Sequence, residues 1–164
     1  MIDPQDHIAA MAPYALAQMD APAGKTLISL AQNECLPPHS PEVIEAACRA
    51  VTNGALYPDP DWSNLRAALA GLHRVDPGGI LCGSGSLDLI GAIARFYAGP
   101  DRAMLAPAHA YRFFRTAAQM SGARLDTAAE TDATVSVDAL LNAVRPDTRV
   151  VCLPNPGNPI GTRI

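Results

Sequence analysis

Lysine is nearly absent from this 164-residue sequence: Lys25 is the only one, beside eleven arginines. Any chemistry that needs a lysine amine has a single candidate here. The formal net charge is -4 at pH 7, and a surface so poor in cations argues against general nucleic-acid binding. Long apolar runs are missing as well, so no segment reads as a membrane span. The four cysteines, Cys35, Cys48, Cys82 and Cys152, form no CxxC pair and share no spacing with histidines. That leaves neither a zinc site nor a disulfide framework, and free thiols in a reducing cytoplasm are expected. The opening Met1-Ile2-Asp3-Pro4-Gln5-Asp6 carries two acids and no base, the reverse of a secretory signal. The expectation is a cytoplasmic protein that handles small molecules and holds no metal.

What is present is a globular composition. Hydrophobic residues make up 49% and charged residues 17% of 17.2 kDa, enough for one domain with a core. Residues 1–36 read as an arm, with Pro4, Pro13 and Pro22 and a weak apolar pattern. Ser40 and Pro41 open a helix whose stripe is Val43, Ile44, Ala47 and Val51, and Asn53-Gly54 stops it. Tyr57-Pro58-Asp59-Pro60-Asp61 is an extended loop, because two prolines forbid regular structure. A second helix follows Ser63. Ile80-Leu81-Cys82 reads as a strand, and a helix with Leu87, Ile90, Ile93, Ala94 and Tyr97 at helical period comes after Gly83-Ser84-Gly85-Ser86.

Further on, a strand is expected over Ala103 to Ala106, a helix over Tyr111 to Ser121 and a strand over Arg124 to Thr127. Ser136 caps a helix through Val144, and Arg149 to Leu153 reads as the most convincing buried strand. Strands alternating with helices of about a dozen residues imply an α/β fold, three αβα layers around a mainly parallel sheet. Ligands in such sheets sit beyond the carboxyl ends of the strands. Two glycine-bearing loops, 83–86 and 154–161, follow strands directly and are expected to open there.

The loop at 83–86 is either a tight turn capped by Ser86 or a cradle for an anion. Glycines let the backbone come close, and the first amides of the helix point at the ligand. It is neither GxGxxG nor a Walker A loop. Pro154-Asn155-Pro156-Gly157-Asn158-Pro159-Ile160-Gly161 holds two Asn-Pro pairs just after a strand, and is read as a ligand loop or a turn made of turn formers.

Residues 155–161 resemble the NPxNPTG signature of fold-type I, pyridoxal-phosphate-dependent aminotransferases. Ala12-Pro13-Tyr14 resembles the family's arm. Leu30-Ala31-Gln32-Asn33-Glu34 is similar to the L-x-x-N-E-N-P segment of histidinol-phosphate aminotransferases. Tyr57-Pro58-Asp59 is similar to their R-Y-P-D loop, Gly83-Ser84-Gly85-Ser86 to their G-N-G-S-D-E phosphate loop, and Pro107-Ala108-His109-Ala110-Tyr111 to their proline-rich segment ending in an aromatic. The resemblance covers nearly the whole chain and implies pyridoxal 5'-phosphate as cofactor, an amino donor and a 2-oxo acid as substrates, and a homodimer. It implies that Ser86 and Leu87 hold the cofactor phosphate, that Tyr111 stacks on the pyridine ring and that Asn158 donates to the phenolic oxygen. It also implies that Tyr57 reaches the phosphate in the neighbouring subunit and that Asn33 lies near the substrate carboxylate.

The sequence departs from the pattern at Cys35-Leu36 for Asn-Pro, at Leu87 for an acid, at Ile160 for a threonine and at His109 for a proline. No residue of this chain is assigned the Schiff-base role, which the resemblance puts beyond Ile164. The chain is therefore expected to be the amino-terminal arm (1–36) and the first part of the cofactor-binding domain (37–164) of a longer enzyme, inactive alone. A decarboxylase of phosphorylated amino acids on the same fold, or a non-catalytic cofactor-binding partner protein, is the alternative.

Overall fold

A computed structural model describes residues 2–12, 21, 23–28, 30–31, 33–35 and 37–164. Pro13, Tyr14, Gln32 and Leu36 of the segments above lie outside the described residues. The chain divides into two compact units, one of residues 1–13 with 82–164 and one of residues 14–81.

The 14–81 unit contains α2 (Pro41–Val51) and α3 (Ser63–His73), followed by a 3-10 turn at Pro77–Gly79. Pro41 takes the first position of α2, where its missing N–H costs nothing. Asp59 prepares α3 by accepting from the backbone N–H groups of Asp61 at 3.0 Å and Ser63 at 2.7 Å. Ile80 has extended dihedrals, φ -107 and ψ 125. Contrary to expectation, the segment 80–82 pairs with no strand among the described residues.

The larger unit holds α1 (Asp6–Ala9), α4 (Ser86–Tyr97), α5 (Phe113–Met120) and α6 (Val137–Ala143) with five strands. Three of them, β1 (Ala103–Pro107), β2 (Leu125–Ala128) and β5 (Thr148–Val151), form a parallel sheet in the order β2-β1-β5. The other two, β3 (Glu130–Thr131) and β4 (Thr134–Val135), pair antiparallel. Their turn, Asp132-Ala133, has positive φ at both residues (49 and 56), the geometry that suits a two-residue hairpin.

Every residue of β1 is buried, and its alternation sends consecutive side chains to opposite faces. Met104 joins Ala94 of α4 and Phe113, Ala117 and Ala118 of α5, while Leu105 joins Ala128 of β2 and Leu140 of α6. Helices thus cover both sides of the sheet, as the alternation of elements implied. Strand β5 corrects the reading of 149–153 as a buried strand. It lies at an edge with Arg149 and Val151 exposed, and its ladder runs on through Cys152, which donates to Leu105 O at 2.8 Å. The Cys152 thiol packs on the α4/α5 side, where burial pushes its pKa up to about 11.

Candidate functional site

Helix α4 is 12 residues long, about 18 Å, and is packed against β5 and α5. Five residues, 98–102, then carry the chain from its end to the start of β1. The helix must therefore run antiparallel to β1, which puts its N-terminus at the carboxyl ends of the strands. The segments after β1 (108–112) and β5 (152–164) leave from that same edge.

At the N-terminus of α4 the backbone amides of Ser86, Leu87 and Asp88 have no acceptor among the described residues. Gly85 makes this start possible, with φ 86 and ψ 171, a region that only glycine populates readily. At Gly83 a Cβ would come within 2.8 Å of Leu89 Cδ2 and 2.9 Å of Asp88 Oδ2, so a larger residue there would have to move the ends of those two side chains. The Asp88 carboxylate folds back to accept from Ser84 N–H at 3.1 Å. Three unengaged amides at the positive end of a helix dipole suit an anion such as a phosphate. Ser86 and Leu87 are both exposed.

The second half of the site is the loop after β5. Gly157 N–H donates to Thr162 O at 2.8 Å and Gly161 N–H to Gly157 O at 2.6 Å, closing 157–162 on itself. Both Asn-Pro bonds, 155–156 and 158–159, are cis. The Asn158 side chain is half-buried and makes no hydrogen bond among the described residues, so its amide is free to meet a ligand oxygen. Thr162 Oγ1 donates to Ala133 O at 2.8 Å and pins the loop to the β3–β4 turn. Between them lies a shallow cleft, lined by Pro107, His109, Glu130, Gly157, Asn158 and Thr162 among others.

Tyr111 packs on the α4/α5 core, its ring 5.8 Å from Phe114 edge-on and 6.2 Å from Phe113. It is not among the residues lining this cleft. His109 is, with Nδ1 2.7 Å from Glu130 Oε2. The sequence marked His109 only as a departure and did not single out Glu130; the one available signal was a histidine placed directly after a strand. In the 14–81 unit Tyr57 is wholly exposed, and Asn33 is exposed with φ 53. No group of three or more potential metal ligands occurs among the described residues, and no described helix is long and apolar enough to cross a membrane.

The open amides of α4 suit an anion such as a phosphate, and the unbonded amide of Asn158 suits a hydrogen-bond acceptor. Comparison with known proteins gives a matching picture. The family model "Aminotransferase class I and II" matches residues 25–164. The histidinol-phosphate aminotransferase of Hyphomonas neptunium is 39% identical over 164 residues, covering 99% of this chain and 45% of that protein. That of Erythrobacter litoralis is 42% identical over 139 residues, 85% of this chain and 38% of that protein. Among solved structures, the histidinol-phosphate aminotransferase of Sinorhizobium meliloti in complex with pyridoxal-5'-phosphate superposes with a TM-score of 0.69 at 30% identity, over 73% of this chain and 33% of that one. Apo-BacF of Bacillus subtilis, at 17% identity and a TM-score of 0.74 over 97% of this chain and 43% of its own, shares the fold. The chain spans less than half the length of the curated relatives it matches. It belongs to the class I and II aminotransferases.

Proposed function

We propose that the protein carrying this chain is a pyridoxal-phosphate-dependent aminotransferase of the histidinol-phosphate type. It would move an amino group between an amino acid or amino-alcohol phosphate and a 2-oxo acid. The observation that carries this reading is the N-terminus of α4, whose three open amides lie at the same sheet edge as Asn158. The similarity to histidinol-phosphate aminotransferases over nearly the whole chain supports it.

Bound there, the cofactor supplies an electron sink for bonds at the substrate Cα. The chain's own residues do the holding. The Ser86 and Leu87 amides, with the Ser86 hydroxyl, take the phosphate. Asn158 donates its amide N–H to the phenolic oxygen and stabilises that oxygen as an anion. Asn33 approaches the substrate carboxylate. Tyr57, wholly exposed in its own chain, reaches the phosphate of the neighbouring subunit in a homodimer. The resemblance gives the ring contact to Tyr111; His109, which lines the cleft beside Asn158, competes for it. Residues 1–36 serve as the arm and 37–164 as the first part of the cofactor-binding domain. Proton transfer at Cα needs a lysine, and we assign it to a part of the protein outside residues 1–164, so these residues alone are inactive.

Borohydride reduction of the natural gene product with pyridoxal phosphate, followed by peptide mapping, tests this reading. A pyridoxyl-lysine in a peptide outside residues 1–164 is the expected result. An adduct on Lys25, or no lysine adduct, overturns it.

A further inference from the structure

We propose that Thr162 is a positioning residue for Asn158, holding the loop that carries this amide through its own hydroxyl bond to the β3–β4 turn. This rests on the reading of Asn158 as the residue that donates to the cofactor's phenolic oxygen. The Asn158 side chain makes no hydrogen bond among the described residues, so no bond of its own aims it. The amide goes where the backbone of 157–162 is held, and that backbone is held at Thr162 twice. The Thr162 carbonyl accepts from Gly157 N–H, directly before Asn158, at 2.8 Å, and the Thr162 hydroxyl donates to Ala133 O at 2.8 Å. The first bond closes the loop on itself. The second is the only hydrogen bond among the described residues that ties 155–164 to another part of the unit. The asparagines of the two Asn-Pro pairs therefore differ: Asn155 accepts from Ile164 N–H at 3.4 Å within the loop, and Asn158 is left for a ligand.

A threonine suits this role. Its branched Cβ restricts χ1, so fixing the hydroxyl fixes the backbone at 162 and, through the carbonyl, the amide of Gly157. A Cβ added at Gly157 would lie 3.5 Å from both Thr162 O and Thr162 Oγ1, which shows how closely the two ends of the loop pass. The acceptor is equally constrained. Asp132 and Ala133 hold φ of 49 and 56, a left-handed conformation that is unfavourable for residues other than glycine, and alanine has no polar side chain to offset it. Strands of two residues give the hairpin little support of their own, and such a conformation persists only where the surroundings hold it. The Thr162 hydroxyl is one bond that does so, and the turn in return aims a carbonyl at the loop.

The test uses the natural gene product freed of cofactor, with pyridoxal phosphate titrated by absorbance. Thr162→Val removes the hydroxyl and keeps the shape; it is expected to weaken binding about fivefold, the net worth of one hydrogen bond. Thr162→Ser keeps the hydroxyl and is expected to stay within about twofold of the parent. In an Asn158→Ala background, Thr162→Val is expected to change binding by less than about twofold, because the amide it positions is gone. A hydroxyl that only stabilised the fold would weaken binding equally in both backgrounds. Should Thr162→Val fail to fold, hydrogen exchange of the unsubstituted protein decides: pyridoxal phosphate must slow exchange in 157–162 and in 131–135 together. Binding indifferent to Thr162→Val, an equal loss in both backgrounds, a Thr162→Ser as weak as Thr162→Val, or protection that stops at the loop overturns the proposal and leaves the aminotransferase reading standing. An Asn158→Ala protein that binds as tightly as the parent overturns it together with the role given to Asn158. Failure of the unsubstituted protein to bind pyridoxal phosphate overturns the proposed function as well.

Discussion

Gly85 does more for the site than its missing side chain suggests. Its dihedrals of 86 and 171 are closed to other residues, while an added Cβ would meet nothing within 4 Å. The cost of Gly85→Ala is therefore conformational, about 1–3 kcal/mol, with no clash to relieve. A thermal melt is expected to show that loss. An unchanged melting temperature would mean that the loop relaxes and that Gly85 does not hold the amides of Ser86 and Leu87 open. The residue scale is also where the sequence was least decisive. Gly83-Ser84-Gly85-Ser86 and the Asn158 loop stood out because two glycines in three residues and two Asn-Pro steps in five are unusual groupings. Whether Tyr111 or His109 lines the cleft was not legible. It depends on which way each side chain leaves the end of β1, and the apolar company of Phe113 and Phe114 draws Tyr111 into the core.

Helices were easier to read than strands, for a physical reason. A helix makes its hydrogen bonds within itself and marks its ends with caps, so Pro41 and Ser136 announced α2 and α6; at α4 the expected cap Ser86 is instead the first helical residue, with Gly85 at the cap position and no side-chain cap bond. Ser136 accepts from Ala139 N–H at 3.2 Å. Ser136→Ala is expected to cost about 1 kcal/mol, measured by urea unfolding; Ser40→Ala is the control, because Ser40 makes no cap bond from its side chain. A strand is completed by its neighbours. Residues 80–82 are apolar and Ile80 is extended, but no strand among the described residues pairs with them. Strand β5, apolar enough to read as central, sits at an edge. The β3–β4 hairpin has two-residue strands and a turn without glycine, so neither alternation nor turn chemistry signals it.

Across the whole sheet the two edges do different work. At the amino ends of the strands Arg124 donates to Asp126 at 2.8 Å and to Asp147 at 2.8 Å, while Ala103 N–H donates to Asp147 O and Met104 N–H to Arg124 O. This edge ties three strands together. Hydrogen bonding from Arg124, aided by the charges of Arg124 and Arg145 and opposed by burial, holds the Asp126 carboxyl below the usual carboxylate range. A lowered folded-state value stabilises the fold above the unfolded pKa of about 3.9, and that contribution is lost as pH falls through the folded value. Asp126→Asn is accordingly expected to be less stable than the parent at neutral pH, with the gap closing below about pH 4. Denaturation at a series of pH values measures the gap, and a constant difference down to strong acid would count against the pair.

The carboxyl edge is built from loops, yet one bond makes them act together. The hydroxyl of Thr162 on Ala133 O joins the segment bearing Asn158 to the hairpin bearing Glu130. The opposite banks of the cleft therefore share a rivet. They are fastened at one point, by a bond worth about 1 kcal/mol, so a change that cuts it frees each bank to move without the other.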